Sequence, residues 1–394
     1  MYDVIVTGAG PVGSYTARRL AEKGYLVLVL ERNRRAGESV CCTGIVGMEC
    51  ARAFDIDERV IIRQVNSAVI FSPSGTSLQV ARPEPQACIL DRVAFDAGMA
   101  DLARKAGAEY SFGSRAIDIQ AGKDRVDVIV SAENKERNVQ SRAVVVAAGF
   151  APTMLKRLGL GGYRDYAIGA QVELPAYGVD EVEVYFGDVA PGFFAWLVPT
   201  TPSMVRAGLI SRRKPGHYLK KWLEKLLARG RISPPGTEVC YGAIPLRPLT
   251  RTSAERLLVV GDSAGQVKPT SGGGIYYGLL SADIAVATLH AALGEDDLSA
   301  KRLSGYQQEW RNLLGRELRI GYWTRKLFER LSERQIDRIF EALKSRGISR
   351  NLLEDGDLSF DWHSRTVLRM LRYQTITRAA NLVKLPFGIG GIDR

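Results

Sequence analysis

The chain of 394 residues is poor in cysteine and histidine: five Cys (Cys41, Cys42, Cys50, Cys88, Cys240) and three His (His217, His290, His363). An odd and scattered set of cysteines argues against a secreted disulfide framework. The set also lacks the repeated short spacing of a zinc site or an iron–sulfur cluster, and so few histidines speak against a histidine metal centre, so no metal is expected. No uninterrupted apolar run approaches the ~18 residues of a membrane span. The first apolar segment begins at residue 2, which leaves no room for a signal peptide and makes the cytoplasm the expected location. Acidic residues are in deficit, 43 Asp and Glu against 54 Lys and Arg, for a net charge of +11. Residues 299–394 hold 19 Lys and Arg against 11 Asp and Glu. A solvated helical face accounts for that surplus as well as attraction to anionic lipid or an anionic substrate does. Nucleic acid is not an expected partner. Hydrophobic residues, at 46%, suffice for the cores of two or three domains.

Glycine is plentiful at 40 residues, and its first cluster organises the N-terminal end. Val4, Ile5 and Val6 form a short β-type run that ends at Gly8-Ala9-Gly10-Pro11-Val12-Gly13. Residues 14–23 then read as a helix with Ala17 and Leu20 inward, and a second apolar run, 25–30, closes on Glu31. In this dinucleotide-binding pattern Gly8 allows the tight turn and Gly10 lets backbone approach a pyrophosphate. Gly13 lets helix pack on strand, and Glu31 accepts a ribose hydroxyl. The acid at the strand end favours an unphosphorylated adenosine ribose, as in FAD or NAD. Arg32 opens the charged loop that follows.

That loop leads into Val40-Cys41-Cys42-Thr43-Gly44. Vicinal cysteines are ordinarily small buried residues. Here they fall in the loop after the second strand, where a dinucleotide-binding domain approaches the ring end of its cofactor, so a thiol faces the reacting centre. Residues 68–80 alternate apolar and polar around Pro73-Ser74-Gly75, a hairpin pattern. Asp91 is placed to cap a helix that buries Phe95, Met99 and Leu102. Arg92 sits in that helix's first turn, where a cation opposes the helix dipole, so it is expected to have an anionic or polar partner such as the cofactor. Strands are expected at 110–119, 125–131 and 143–148, the last ending at Ala147-Ala148-Gly149.

Residues 166–209 change to antiparallel alternation. They carry Phe193-Phe194-Ala195-Trp196-Leu197-Val198-Pro199, which reads either as a core strand or as the wall of an apolar pocket. The chain then returns to the first domain. Leu257 to Val260 form a buried strand ending at Gly261-Asp262-Ser263-Ala264-Gly265, followed by Lys268-Pro269-Thr270-Ser271-Gly272-Gly273-Gly274-Ile275 and a long helix. Asp262 is placed to accept hydrogen bonds from a polyol, and the glycines at the helix start favour an anionic ring locus or phosphate.

GAGPVG with Glu31, the Leu90-Asp91-Arg92 helix start and VVGDSAGQVKPTSGGGI together resemble the FAD-binding signatures of flavoproteins of the p-hydroxybenzoate hydroxylase fold. Within that fold, Cys42-Thr43-Gly44 and Phe194-Ala195-Trp196-Leu197-Val198-Pro199 resemble motifs of the geranylgeranyl reductase family. Val198 departs from that family's aromatic residue. Ala147-Ala148-Gly149 lacks the Asp-Gly pair of the hydroxylases, which weighs against a monooxygenase. The resemblance covers residues 1–295. It implies an α/β chain, α+β overall, with a Rossmann-like FAD-binding domain, an inserted antiparallel-sheet substrate domain and a C-terminal helical region. The expected boundaries are 1–66, 92–165 and 255–297 for the FAD-binding domain. They are 67–91 and 166–254 for the substrate domain and 298–394 for the helical region.

The activity implied is that of an FAD-dependent oxidoreductase acting on CH–CH groups, saturating C=C bonds of a geranylgeranyl chain on a lipid, a quinone or a chlorophyll-type precursor. The flavin, bound noncovalently, carries the hydride. Catalytic candidates are Cys42, with Tyr276 and Tyr277 as alternatives. The cofactor set is Gly8, Gly10, Gly13, Glu31, Arg32, Cys42, Gly44, Arg92, Ala148, Gly149, Gly261, Asp262, Gly265, Pro269, Gly272, Gly273, Gly274 and Ile275. Phe193, Phe194, Trp196 and Pro199 are the expected pocket wall. The expected partners are a prenylated lipid or other geranylgeranyl substrate, an external electron donor (NAD(P)H, ferredoxin or other) and, peripherally, a membrane. The competing readings are a monooxygenase or halogenase of the same fold and a non-enzymatic flavin-binding protein.

Overall fold

The computed structural model describes residues 1–133, 135–345 and 359–372. The remainder of the expected C-terminal region lies outside the described residues. The chain opens with β1 (Tyr2–Thr7), α1 (Pro11–Ala21) and β2 (Val27–Leu30). Next come β3 (Ile45–Gly47), α2 (Met48–Ala53), β4 (Ile61–Val65), β5 (Ser67–Phe71), β6 (Ser77–Ala81) and β7 (Ala87–Leu90). After α3 (Arg92–Lys105) run β8 (Glu109–Ser111), β9 (Ser114–Ala121), β10 (Val126–Ala132) and β11 (Lys135–Val146). α4 (Pro152–Arg157) precedes β12 (Tyr166–Pro175), β13 (Val182–Tyr185), β14 (Ala195–Thr201) and β15 (Met204–Ser211). The chain continues through α5 (Pro215–Ala228), β16 (Cys240–Pro245), β17 (Ser253–Ala254) and β18 (Leu257–Val259). The last elements among the described residues are helices α6 (Ile275–Gly294), α7 (Ala300–Phe328), α8 (Glu333–Ser345) and α9 (Ser364–Arg372).

These elements form two compact units built from interleaved segments. The first comprises Met1–Ile62, Cys88–Ile168 and Gly242–Tyr322; the second comprises Arg63–Ala87, Gly169–Tyr241 and Trp323–Arg394. The 298–394 stretch is thus divided at Tyr322.

The first unit is built on an eight-stranded sheet ordered β17-β18-β11-β1-β2-β8, with the β9-β10 hairpin attached to β11. Its β18, β11, β1, β2 and β8 run parallel. That arrangement explains the unbroken apolar runs: Val4, Ile5 and Val6, like Val144, Val145 and Val146, are buried on both sheet faces. The β9-β10 hairpin closes over one face, and Val126, Val128 and Val130 join Ile5, Val144, Val146 and Val259 in one cluster. Burial of each such side chain contributes about 1.5–3 kcal/mol.

α3 is capped as its sequence requires, with Asp91 accepting the Val93 and Ala94 N–H groups at 3.0 Å. Its rotation differs from the expected stripe. Leu102 is 42% exposed while Asp96, Ala100 and Ala103 are buried with Phe95 and Met99. The paired carboxylate of Asp96 takes an inward position that an apolar pattern would not assign to it. α6 is long and apolar enough to span a membrane by length and composition, which a search for uninterrupted apolar runs passes over. It is instead a core helix: Tyr277, Leu279, Ala282, Ala285 and Leu289 are buried, and it packs on α1.

The seven-stranded sheet is ordered β16-β12-β15-β14-β13-β5-β6. β13-β14, β14-β15 and β5-β6 are antiparallel, with one parallel joint between β13 and β5. The β5-β6 turn forms at Pro73-Ser74-Gly75, with Gly75 at φ +89°. α8 covers this end of the sheet: Ile336, Phe340 and Leu343 pack on Leu78, with Ile70, Phe186 and Phe328 around them. Earlier in the tail, Leu303, Leu314 and Leu318 are buried, whereas Leu313 is 45% exposed. The apolar faces of the helices between residues 303 and 343 are therefore mostly covered by protein.

Candidate functional site

The glycine turn after β1 is shaped by close backbone approach. Gly8 has φ +100°, and a Cβ on it would lie 2.5 Å from the Ala147 carbonyl oxygen. A Cβ on Gly13 would lie 2.0 Å from the Gly8 carbonyl oxygen. Only glycine meets both demands. A Cβ on Gly10 would meet nothing within 4 Å, so the turn is open at that position. No side chain caps α1 at Gly10, and Pro11 occupies its first turn, so its N-terminal N–H groups face this opening. At the end of β2, Glu31 accepts the Ala9 N–H on Oε2 and the Asn33 N–H on Oε1, both at 2.8 Å. Each carboxylate oxygen retains capacity for a ribose hydroxyl. The neighbouring Arg32 is exposed.

A second glycine-lined cradle follows β18. Desolvation raises the Asp262 carboxyl to about 6 against the opposing pull of the Arg92 guanidinium. A Cβ on Gly274 would sit 2.2 Å from Asp262 Oδ1, and no side chain caps α6 at Gly274. The Lys268-to-Gly273 turn is closed by Lys268 N–H to Gly273 O at 3.0 Å and Gly272 N–H to Lys268 O at 2.8 Å. Pro269 and Gly272 belong to this turn, and Ile275 is the first residue of α6. Gly261 and Gly265 bracket Asp262, both at positive φ. Ser263 Oγ donates to the Gly149 carbonyl at 2.7 Å, which ties Ala148-Gly149 after β11 to this turn.

The two cradles fit a dinucleotide cofactor of the FAD kind: one offers open backbone and an acid for the adenosine half, the other a desolvated acid and a bare helix start. Arg92 links the second cradle to the cysteine loop. Its guanidinium pairs with Asp96 through two hydrogen bonds of 3.0 Å and also hydrogen-bonds the Cys42 sulfur. The Gly44 N–H donates to the same sulfur at 3.3 Å. Asp96 was not among the expected residues, although its i+4 spacing from Arg92 is a readable signal. Cys42, Cys50 and Cys88 are not in disulfides.

Tyr276 and Tyr277 are buried at the start of α6. The Tyr276 hydroxyl donates to Glu49 at 2.7 Å, and the Lys268 ammonium lies 5.6 Å from the centre of the Tyr277 ring. Glu49, on α2, is a partner that the sequence did not suggest.

The aromatic run lies in the second unit, and alternation along it separates its members. Phe193 is only 2% exposed, with the Arg325 and Arg212 guanidinium groups 4.3 and 5.5 Å from its ring centre. Glu329 bonds Arg212 at 2.8 Å, and desolvation lowers Arg325 to about 10. Pro199 is buried as well. Phe194 and Trp196 remain partly exposed, their rings 5.8 Å apart.

Residues 1–206, more than half of the chain, match the FAD binding domain family. Digeranylgeranylglycerophospholipid reductase 1 of Methanococcoides burtonii is 30% identical over 361 residues, covering 87% of this chain and 88% of that protein. The chain belongs to the geranylgeranyl reductase family of FAD-dependent flavoproteins. The Methanocaldococcus jannaschii digeranylgeranylglycerophospholipid reductase is 29% identical over 354 residues, covering 87% of this chain and 90% of that one. Among solved structures, a geranylgeranyl bacteriochlorophyll reductase-like protein of Thermoplasma acidophilum shares the fold. Its TM-score is 0.84 at 22% identity, covering 96% of this chain and 98% of that one. The halogenase PltM in complex with FAD shares it more distantly, with a TM-score of 0.69 at 15% identity, covering 100% of this chain and 98% of that one. Membership of the family makes the cofactor FAD and the protein an oxidoreductase.

Proposed function

We propose that this protein reduces the C=C bonds of geranylgeranyl chains carried by a glycerophospholipid. One observation carries the reading: the likeness to digeranylgeranylglycerophospholipid reductases runs over 361 residues, well past the FAD binding domain match that ends at residue 206. It therefore extends beyond the aromatic strand β14, which itself lies within residues 1–206, into the part of the chain that follows it.

An isolated alkene has no carbonyl to polarise, so catalysis rests on alignment and on a proton source. When bound and reduced, FAD supplies the hydride. In this reading Gly8, Gly10, Gly13 and Glu31 hold the adenosine half. Asp262, Gly274, Ile275 and the Lys268-to-Gly273 turn hold the remainder, with Arg92 beside them. Cys42, fixed by Gly44 and Arg92, is the protein group we place at the reacting bond. Tyr276 and Tyr277 rank behind it because both are buried. Each saturated bond takes up one hydride and one proton. An external donor restores the reduced flavin, and the basic tail supports peripheral contact with an anionic membrane.

Incubating the dithionite-reduced holoprotein with a geranylgeranylated glycerophospholipid should give products heavier by two hydrogens per reduced bond in mass spectrometry. Full flavin occupancy without any such gain on prenyl lipids or prenyl quinones overturns the reading.

A further inference from the structure

Trp196 on β14 stands directly opposite Gly208 on β15. The indole folds down over that glycine: a Cβ on Gly208 would lie 2.5 Å from Trp196 Cζ2 and 2.7 Å from Cε2. It would also lie 2.9 Å from the Ala170 carbonyl oxygen. Gly208 has no positive φ, so the requirement is for space and not for an unusual backbone. The Trp196 Nε1–H donates to Gln171 Oε1 at 3.3 Å, which fixes the ring from the β12 side, and Gln171 is itself buried.

Strand register extends this contact into a row. Gly208, Trp196, Val184, Ile70 and Leu78 are successive cross-strand partners from β15 to β6. Directly paired residues share a sheet face, with a step of about 4.8 Å per strand. At the β6 end Ile70 and Leu78 lie under α8, so the passage concerns only the β14-β15 end of the row, where Trp196 is partly exposed. Phe194 lies on the same face as Trp196, two residues before it.

We propose that Gly208 is a specificity-determining position, whose missing side chain seats the Trp196 indole low on the sheet and leaves the face above β14 and β15 clear for an isoprenoid chain. The inference rests on the reading of the protein as a prenyl reductase. A methyl group at position 208 drives the indole up into the path of the chain, whereas truncation of Trp196 deepens the path. The two changes therefore act in opposite directions on one passage, and Gln171 is the positioning residue for the ring.

The test is a double-mutant cycle on the FAD-loaded full chain, using Gly208→Ala, Trp196→Ala and the pair, with a geranylgeranylated glycerophospholipid as substrate. Gly208→Ala should slow reduction about tenfold or more and enrich partly reduced products, with flavin content unchanged. The double variant should show the product pattern of Trp196→Ala alone, since the ring that clashes is gone. The 2.9 Å approach to the Ala170 carbonyl oxygen is common to Gly208→Ala and the pair and is read separately from their thermal stability. Two outcomes overturn the proposal. In one, Gly208→Ala gives the wild-type product pattern even though its thermal stability responds to Trp196, so that the contact is purely structural. In the other, the losses simply add. Should Gly208→Ala fail to fold, Gln171→Met releases the ring without adding bulk beneath it. That variant should also enrich partly reduced products, and an unchanged pattern overturns the proposal. If wild-type holoprotein reduces no prenyl chain, the functional reading fails as a whole; reduction with an unshifted pattern fails this inference alone.

Discussion

Asp262 and Gly274 approach so closely that any side chain on Gly274 would occupy the position of the carboxylate, with a Cβ 2.2 Å from Oδ1. The glycine just before α6 thus leaves room for the acid in the turn after β18. Gly274→Ala should push Asp262 aside and weaken FAD binding by about tenfold or more, measured by equilibrium titration of flavin fluorescence. Wild-type affinity in this variant would remove Asp262 from the cofactor site.

Desolvation makes Asp262 a liability when flavin is absent. Its folded-state carboxyl titrates near 6, above the ordinary carboxylate range, so between about pH 4 and 6 the native state holds a proton that the unfolded chain has lost. The contribution to stability is therefore favourable at low pH, falls as pH rises through that window, and is fully unfavourable above it. Asp262→Asn should raise the stability of the flavin-free protein at pH 7 by up to about 3 kcal/mol and leave it nearly unchanged at pH 4. Denaturant melts at the two pH values check this, and an equal effect at both would contradict it.

Gly10 and Gly13 should fail in different ways. A side chain at Gly10 meets no protein atom, so Gly10→Val should keep the fold and its melting temperature but lose FAD, because the added atoms enter the space of the pyrophosphate. Gly13→Ala forces a contact of 2.0 Å with the Gly8 carbonyl oxygen and should lower thermal stability itself. Far-UV circular dichroism melts alongside flavin content separate the two outcomes.

Cys42 is held by two N–H donors in the loop before β3. Cys42→Ala should lower turnover about a hundredfold while flavin content falls by less than half, if the sulfur acts at the reacting bond. Single-turnover reduction of the prenyl lipid together with flavin absorbance measures both. Loss of flavin in step with activity would make Cys42 a binding residue only.

The surplus of positive charge in residues 299–394 should give salt-sensitive binding to anionic vesicles. In sedimentation at low salt the protein should pellet with anionic vesicles and be released at about 0.5 M salt. Pelleting no greater than with neutral vesicles would count against membrane contact.

Much of the fold was legible because its signals are local. The β1-to-β2 pattern, the Asp91 cap and the Pro73-Ser74-Gly75 turn each depend on residues within a few positions of one another, where backbone sterics and capping leave little choice. The relatives and the fold likewise follow from the glycine motifs and Glu31. The sequence therefore determined the nucleotide-binding architecture and the cofactor class.

Tertiary structure decided which side chains meet. The rotation of α3 brings Asp96 inward beside Arg92 and turns Leu102 out, because a paired buried carboxylate is invisible to an apolar count. The aromatic run gave Phe193, Phe194 and Trp196 equal standing. The bend before β14 buries Phe193 under Arg325 and leaves Phe194 and Trp196 partly exposed. Gly208 had no motif to mark it at all. Its role arises from the β14-β15 register, which places it opposite Trp196, and register is set by packing between strands rather than by the order of residues within either one.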